Sequence, residues 1–291
     1  MRKARLLPRV LLELVILCVA VGALFHAAAA QPAAEAAALR EQQRLPILMY
    51  HSVLKDPSRA GDYVVSPDTL EADLAYLKSN GYESVVMADV IAYVEGKAAL
   101  PRKPVMITFD DGYYNNLVYV LPLLTQYDMR AVLSVVGCYT ERFTQTPDPN
   151  PNYGHLSWTE LRELQDTGRF EIQNHSYDMH GLGERQGSSK RRGESESAYR
   201  RAFFEDTERM RDALQEHGLA ASTYTYPYGA IGPNTTEYLR ELGFSASLSC
   251  FERINVLSVG DADCLFCLGR YNRPSGLSTL DFMARVFKEE R

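Results

Sequence analysis

The sequence predicts an α/β fold on a mainly parallel sheet, preceded by a hydrophobic N-terminal segment. Short apolar runs of strand length, such as Val105–Phe109 and Ala131–Val136, alternate with stretches whose apolar residues recur at helical spacing. Tight turns marked by Gly, Asn and Pro join them, the pattern of strands connected by helices in a parallel sheet. A third observation is where the polar residues fall. The Asp110-Asp111 pair, His175 and the Pro227-Tyr228 pair each fall at the end of a strand-length run. In a parallel sheet successive strand ends share one rim, and ligand sites form at that carboxyl edge.

At 291 residues and 46% hydrophobic composition, the chain is long enough for one large α/β domain with a full core. The formal charge is −6; the first thirty residues contribute +3 (four basic residues against Glu13), so the remainder carries −9. That balance argues against nucleic acid or an anionic membrane surface as the main partner. Residues 1–30 read as a targeting segment. Arg2, Lys3, Arg5 and Arg9 precede a mostly apolar stretch, Val10 to Ala30, interrupted by Glu13. Its strict core, Leu14 to Phe25, has the length of a signal peptide, while the whole stretch approaches the ~20 residues that span a bilayer. Ala28-Ala29-Ala30 before Gln31 offers a cleavage site. The segment is either a cleaved signal or an uncleaved anchor, with the anchor favoured, and its basic flank puts the body outside the cytoplasm. Residues 31–45, rich in Ala, Glu, Gln and Arg, read as a linker. That leaves 46–291 as the folded domain.

Taken in order, Leu45–Tyr50 is the first core strand, with His51 at its end. Ser66 caps a helix with Pro67 at its first position and Leu70, Leu74 and Leu77 on one face, stopped by Asn80-Gly81. Glu83–Met87 is a strand and Ala88–Glu95 a short helix. Val105–Phe109 is a buried strand, and Asn115–Tyr127 a helix bent near Pro122. Ala131–Val136 is a strand, and Thr144–Gly154, with three prolines and two asparagines, a surface loop. Ser157-Trp-Thr-Glu160 is a capping box opening a helix that Gly168 stops. Phe170–Asn174 is a strand, Glu194–His217 a long amphipathic helix and Ser222–Tyr226 a strand. Asn234 caps a further helix, Phe244–Leu248 is a strand, and the last helix runs from Ser278 to Glu290.

The chemistry sits at two strand ends. Asp110 and Asp111 are adjacent at the end of Val105–Phe109, before Gly112. Side chains of neighbouring strand residues point to opposite faces, but where the chain turns at a glycine both carboxylates can reach one site. Two carboxylates that close call for a shared cation or proton; the ordinary alternative is a polar turn. His175 and His180 follow Phe170–Asn174 five residues apart. On a helix that spacing would splay the rings, whereas a loop can aim both at one ion. One carboxylate with two imidazoles and room for water is a catalytic zinc-type set; the alternative is two unrelated surface histidines. Trp158, the only tryptophan, either stacks on a sugar ring or packs beneath the loop. Lys190-Arg-Arg192 is either a solvated face or the border of a substrate cleft. Cys264-Leu-Phe-Cys267 and Cys250 carry no site, although an extracytoplasmic location permits a disulfide.

Thr108-Phe-Asp-Asp-Gly112, followed by Asn174-His-Ser-Tyr-Asp-Met-His180 and then by Thr225-Tyr-Pro-Tyr-Gly229, resembles the polysaccharide deacetylase family, the NodB-homology carbohydrate esterases. The resemblance covers about residues 46 to 291, with the motifs in the family's order. The five-residue histidine spacing looks like the branch that includes poly-β-1,6-N-acetylglucosamine deacetylases. The resemblance implies a distorted (β/α) barrel, TIM-barrel-like, and removal of N-acetyl groups from an amino-sugar polymer. It implies a divalent metal on Asp111, His175 and His180, zinc first, with cobalt, nickel and iron open. Asp110 would be the general base, and the backbone N–H of Tyr228 would complete an oxyanion site. Tyr228, Pro227 and Trp158 would contact substrate. The N-acetylated glycan is left open among peptidoglycan, poly-N-acetylglucosamine and chitin-like oligomers.

Two departures from the family pattern stand out. Thr225 occupies the place of an arginine that pairs with the base in many members; Glu252, Arg253 and Arg270 are the candidates to substitute. No histidine follows His217, so the usual C-terminal general acid is missing, and His51 is the best replacement. Two other readings remain: a non-catalytic cell-surface glycan-binding protein on the same fold, and a metal amidase acting on a small non-sugar amide.

Overall fold

The strands, in chain order, are β1 (Gln43–Leu45), β2 (Ile47–Tyr50), β3 (Ser52–Val53), β4 (Val64–Val65), β5 (Glu83–Ser84), β6 (Pro104–Asp111), β7 (Ala131–Val135), β8 (Phe170–Asn174), β9 (Thr223–Thr225), β10 (Ala246–Leu248), β11 (Asn255–Leu257) and β12 (Tyr271–Asn272). This computed structural model describes residues 42–288. The hydrophobic segment at 1–30 and most of the expected linker lie outside the described residues, as do 289 and 290 of the expected last helix, which ends at Val286 with Phe287 as its C-cap. Among the described residues no helix is long and apolar enough to cross a membrane.

The main sheet has the order β10-β9-β8-β7-β6-β2-β12, with β5 added along the start of β6. Every pairing in it is parallel, as the alternating pattern predicts. The sheet curls into a half-barrel wrapped by helices, the form expected of a (β/α) barrel. The chain just ahead of β12 reaches back across the opening. Leu268 bridges Leu248 in parallel, and its N–H donates to Ser247 O at 2.8 Å. Strand β6 is buried along its whole length, so its side chains can be apolar on both faces until the two aspartates. Leu70, Leu74 and Leu77 of the helix Pro67–Ser79 are buried, as their spacing requires. Ser66 caps that helix by accepting from Thr69 N–H at 3.1 Å, and Ser157 with Glu160 forms the expected capping box.

Several boundaries depart from the sequence reading for local reasons. The first strand is broken at Pro46, which has no N–H to give a sheet ladder. The residues before it, β1, pair antiparallel with β11 instead, so the end of the expected linker belongs to the folded unit. The strand expected to reach Met87 stops at Ser84, because Val86 becomes the N-cap of the helix Met87–Val94 and its N–H is taken by Asp89 at 3.0 Å. The helix expected from Asn115 is a π-turn at Asn116–Val120 followed by an α-helix at Leu121–Gln126. Pro122 cannot donate back into the preceding turn, and the wider turn ahead of it resets the register. A helix at Gly137–Gln145 occupies the start of what reads as a loop.

Candidate metal and catalytic site

Asp110 and Asp111 end β6 and both line a cleft of about 540 Å³. The backbone, not the pleat, brings them together. Asp111 and Gly112 are consecutive left-handed residues, φ +74° and +71°, so the strand's alternation is broken between the two carboxylates. A side chain at Gly112 would put its Cβ 3.0 Å from Val135 Cγ1, so glycine is needed there for both conformation and space. A left-handed aspartate costs of order 1–3 kcal/mol, the kind of strain that collects at functional sites.

His175 lies at the end of β8. Its Nδ1 donates to Thr225 O at 2.8 Å, which leaves Nε2 free and turned towards Asp111 Oδ1 at 3.5 Å. His180 arrives on the following loop, with Nε2 3.0 Å from the same oxygen. That loop turns at Ser176, φ +72°, where Asn174 Oδ1 accepts the Ser176 N–H at 2.6 Å. One ligand atom from each of Asp111, His175 and His180 lies within 4.8 Å of the others. Asp111 Oδ1 is buried and has no hydrogen-bond partner. A buried carboxylate oxygen set between two imidazole nitrogens suits a divalent cation. Burial pushes the Asp111 carboxyl up, but His175, His180 and His51 outweigh it and hold it well below the usual carboxylate range.

Asp110 has a different partner. Arg270 grips it through two hydrogen bonds, 2.7 and 2.8 Å, with both side chains almost wholly buried. Burial raises the Asp110 carboxyl, yet Arg270 and then His175 bring it below its ordinary value. Of the three substitutes considered for the arginine of the third motif, only Arg270 reaches Asp110. Glu252 pairs with Arg285, and Arg253 donates to Cys267 O at 2.6 Å. Thr225 itself shares a hydrogen bond with Ser134 at 2.7 Å. His51 stands beside the pair, Nε2 3.9 Å from Asp110 Oδ2. Burial depresses its pKa against the pull of both aspartates, which favours the neutral ring.

Tyr228 also lines the cleft. Its backbone is left-handed, φ +58°, its ring is 43% exposed, and its hydroxyl lies 3.3 Å from His180 Nδ1. Pro227 is buried beneath it. Trp158 is not brought to the cleft. Its ring is buried, stacks on His217 at 5.1 Å and donates from Nε1 to Glu141 at 2.9 Å. It packs beneath the loop, because the capping turn that starts its helix faces the core. The basic run does not border the cleft either: Lys190 pairs with Glu196 and Arg191 with Glu184, while Gln186 is what that segment gives to the lining. Cys138, Cys250, Cys264 and Cys267 are free thiols.

His155 and Tyr113 are among the residues near the site that escaped sequence reasoning. His155 Nδ1 lies 3.0 Å from the Asp111 carbonyl, and its ring stacks on Tyr113 at 4.8 Å. Tyr113 follows Asp110-Asp111-Gly112 and lines the cleft. His155 sits in a loop without periodicity, and only the bridge between Tyr113 and His155 places it.

Fold and site together define a parallel α/β protein with an Asp-His-His group that could hold a metal ion and a second, arginine-held aspartate. The family model for polysaccharide deacetylases matches residues 97–247, just over half of the chain, and the chain belongs to that family. Within it, the chain is similar to the poly-β-1,6-N-acetyl-D-glucosamine N-deacetylase of Escherichia coli (strain K12), 25% identical over 221 residues, covering 68% of this chain and 32% of that protein. It is 24% identical over 195 residues to the enzyme of the same name from Staphylococcus aureus (strain MRSA252), covering 66% and 63%. The solved structure of IcaB from Ammonifex degensii superposes with a TM-score of 0.67 at 29% identity, covering 84% of this chain and 97% of that one. The match thus spans about a third of the E. coli relative and just under two thirds of the staphylococcal one.

Proposed function

We propose that this protein is a metal-dependent hydrolase that removes N-acetyl groups from an extracytoplasmic amino-sugar polymer. The convergence of Asp111, His175 and His180, with Asp110 held just outside their cluster, is the observation that carries this reading. The relatives' activity makes β-1,6-linked poly-N-acetylglucosamine the first substrate to test and peptidoglycan the second. The basic and apolar pattern of residues 1–30 supports action outside the cytoplasm, whether the segment is cleaved or retained.

Asp111, His175 and His180 would hold the cation, for which zinc suits the donor set best. When bound it would polarise the acetamide carbonyl and make water a better nucleophile. Asp110 takes the proton of the attacking water; its pairing with Arg270 keeps it ionised and fixes its aim. His51 stands next to that carboxylate, placed to pass the proton to the departing amine nitrogen. The backbone N–H of Tyr228 donates to the developing oxyanion, a contact of a type typically contributing ~3 kcal/mol. A merely glycan-binding protein would have no use for a buried, arginine-paired aspartate beside a metal cluster.

The test is acetate release by the purified chain from β-1,6- and β-1,4-linked N-acetylglucosamine oligomers and from peptidoglycan, with and without zinc. Release that needs metal and disappears in Asp110→Asn is expected. A protein that holds one metal and releases no acetate from any glycan would overturn the reading.

A further inference from the structure

His155 and the helix Gly137–Gln145 join the two parts of the chain that carry the candidate metal residues. Tyr114 N–H donates to Gly154 O at 2.8 Å and Leu156 N–H to Gly112 O at 2.9 Å, so residues 154–156 run alongside 112–114, with Tyr113 bridged to His155. There His155 Nδ1 lies 3.0 Å from the Asp111 carbonyl. A carbonyl only accepts, so Nδ1 carries the proton. The bond falls on the peptide between Asp111 and Gly112, the two left-handed residues. The imidazole is held by three rings, Tyr113 and Tyr139 at 4.8 Å and Phe143 at 5.5 Å. Tyr139 and Phe143 lie one turn apart on the helix Gly137–Gln145. The same helix grips the loop after β8. Its Gly137 and Cys138 N–H groups donate to Ser176 O and Tyr177 O at 3.1 and 2.8 Å, and the Tyr139 hydroxyl donates to His180 O at 3.3 Å. A Cβ at Gly137 would lie 2.5 Å from Tyr177 Cδ2, so only glycine allows this contact.

A set of metal donors loses affinity when its members must be moved into place. Asp111 is the donor most in need of support. Its left-handed backbone is strained, and relaxation of the peptide after it would carry the carboxylate away from His175 and His180. We propose that His155 is a positioning residue for the candidate metal site, fixing the peptide between Asp111 and Gly112 and so the direction of the Asp111 carboxylate. The helix Gly137–Gln145 ties this contact to the loop that brings His180, so the donors keep one spacing. The inference rests on the metal-dependent reading above and adds to it a residue that touches neither the metal nor the substrate.

Two variants of the whole chain separate the hydrogen bond from the packing. His155→Phe keeps a ring among the three aromatic side chains and removes the donor. His155→Asn removes the ring and keeps a side-chain N–H where Nδ1 stands. Zinc affinity is measured by competition with a chelator, and Tm is measured on the same samples without metal. The Phe variant should bind zinc ~10–100-fold more weakly, the scale of groups that orient ligands, with the smaller loss of Tm. The Asn variant should bind zinc within about threefold of the wild type although its Tm falls further, because it leaves space between the rings. With cobalt in place of zinc, the visible absorption band should be alike in wild type and Asn and altered in Phe. A Phe variant with wild-type zinc affinity overturns the proposal, as does an Asn variant as weak as Phe. Zinc affinity that follows Tm in both variants makes His155 a packing residue only. A wild type that binds zinc but releases no acetate from any glycan refutes the deacetylase reading and leaves this one to be judged by the two affinities. A wild type that binds no divalent cation overturns both.

Discussion

Arg270 meets Asp110 through a bidentate pair in which neither side chain is appreciably exposed, and the neighbouring His51 is kept neutral by burial. The consequence for pH has a definite sign. An unfolded histidine takes up a proton near its ordinary value of 6.5, whereas His51 in the fold does so only at lower pH. Its effect on stability is therefore nil above that range, and stability falls as pH drops below about 6.5 until the folded pKa is passed. His51→Gln should flatten this acid limb in urea denaturation followed across pH. It should also cut acetate turnover by ~10²–10⁴ while leaving zinc content nearly intact; equal loss of both would make His51 a ligand or a structural residue. His51 was visible in the sequence because it ends an apolar run. Arg270 was only one of three candidates, since nothing local marks which arginine crosses the barrel to a carboxylate 160 positions away.

The helix Glu196–Glu216 supports the loop of the candidate metal site from outside. Its Asp206 accepts the Tyr177 N–H at 2.9 Å and the Asp178 N–H at 2.7 Å, between the two candidate histidine ligands in sequence. Arg209, one turn on, lies over the Tyr177 ring at 3.8 Å. Asp206→Ala removes both acceptors from the loop and should weaken zinc binding by ~10–100-fold, the usual scale for groups that orient ligands. Asp206→Asn keeps one oxygen and should fall between. A zinc titration in competition with a chelator checks both, with far-UV circular dichroism to confirm that the helix persists. The helix itself is legible from its apolar spacing, with Tyr199, Phe203, Met210 and Leu214 buried. Asp206 reads as one more charge on its polar face, because the loop it serves is brought there only by packing.

Across the whole molecule, a buried charged cluster ties the two ends of the fold together. Asp73, on the helix Pro67–Ser79, binds Arg273 just after β12 at 2.7 Å, Tyr50 on β2 at 2.9 Å and Thr279 on the last helix at 2.7 Å. Removing one member strands the other charge in the core, so Asp73→Ala should cost ~3–5 kcal/mol of stability. The shift in urea midpoint at constant slope measures it, and the Asp111-His175-His180 cluster, which shares no partner with Asp73, should keep its zinc affinity. A midpoint within about 0.5 kcal/mol of the wild type, the usual range for a surface change, would contradict the cluster's role. The anchored segment from Leu268 to Arg273 is also the one that carries Arg270, so the same closure that stabilises the barrel holds Asp110, the proposed base.

The sequence by itself determined the parallel α/β class, the strand ends at which chemistry collects, the family, and the set Asp110, Asp111, His175 and His180. Periodicity and turn chemistry are local, and a strand-length run ending in Asp-Asp-Gly or Asn-His marks its own strand end. Only the tertiary structure decided that Arg270 holds Asp110, that Asp206 and His155 hydrogen-bond to the backbone around the candidate metal residues, that Trp158 is buried, and that Tyr63 joins Tyr228 in the cleft lining. Each of these depends on which strands become neighbours and how the sheet curls. Those choices come from burying the whole core at once, and no short stretch of chain encodes them.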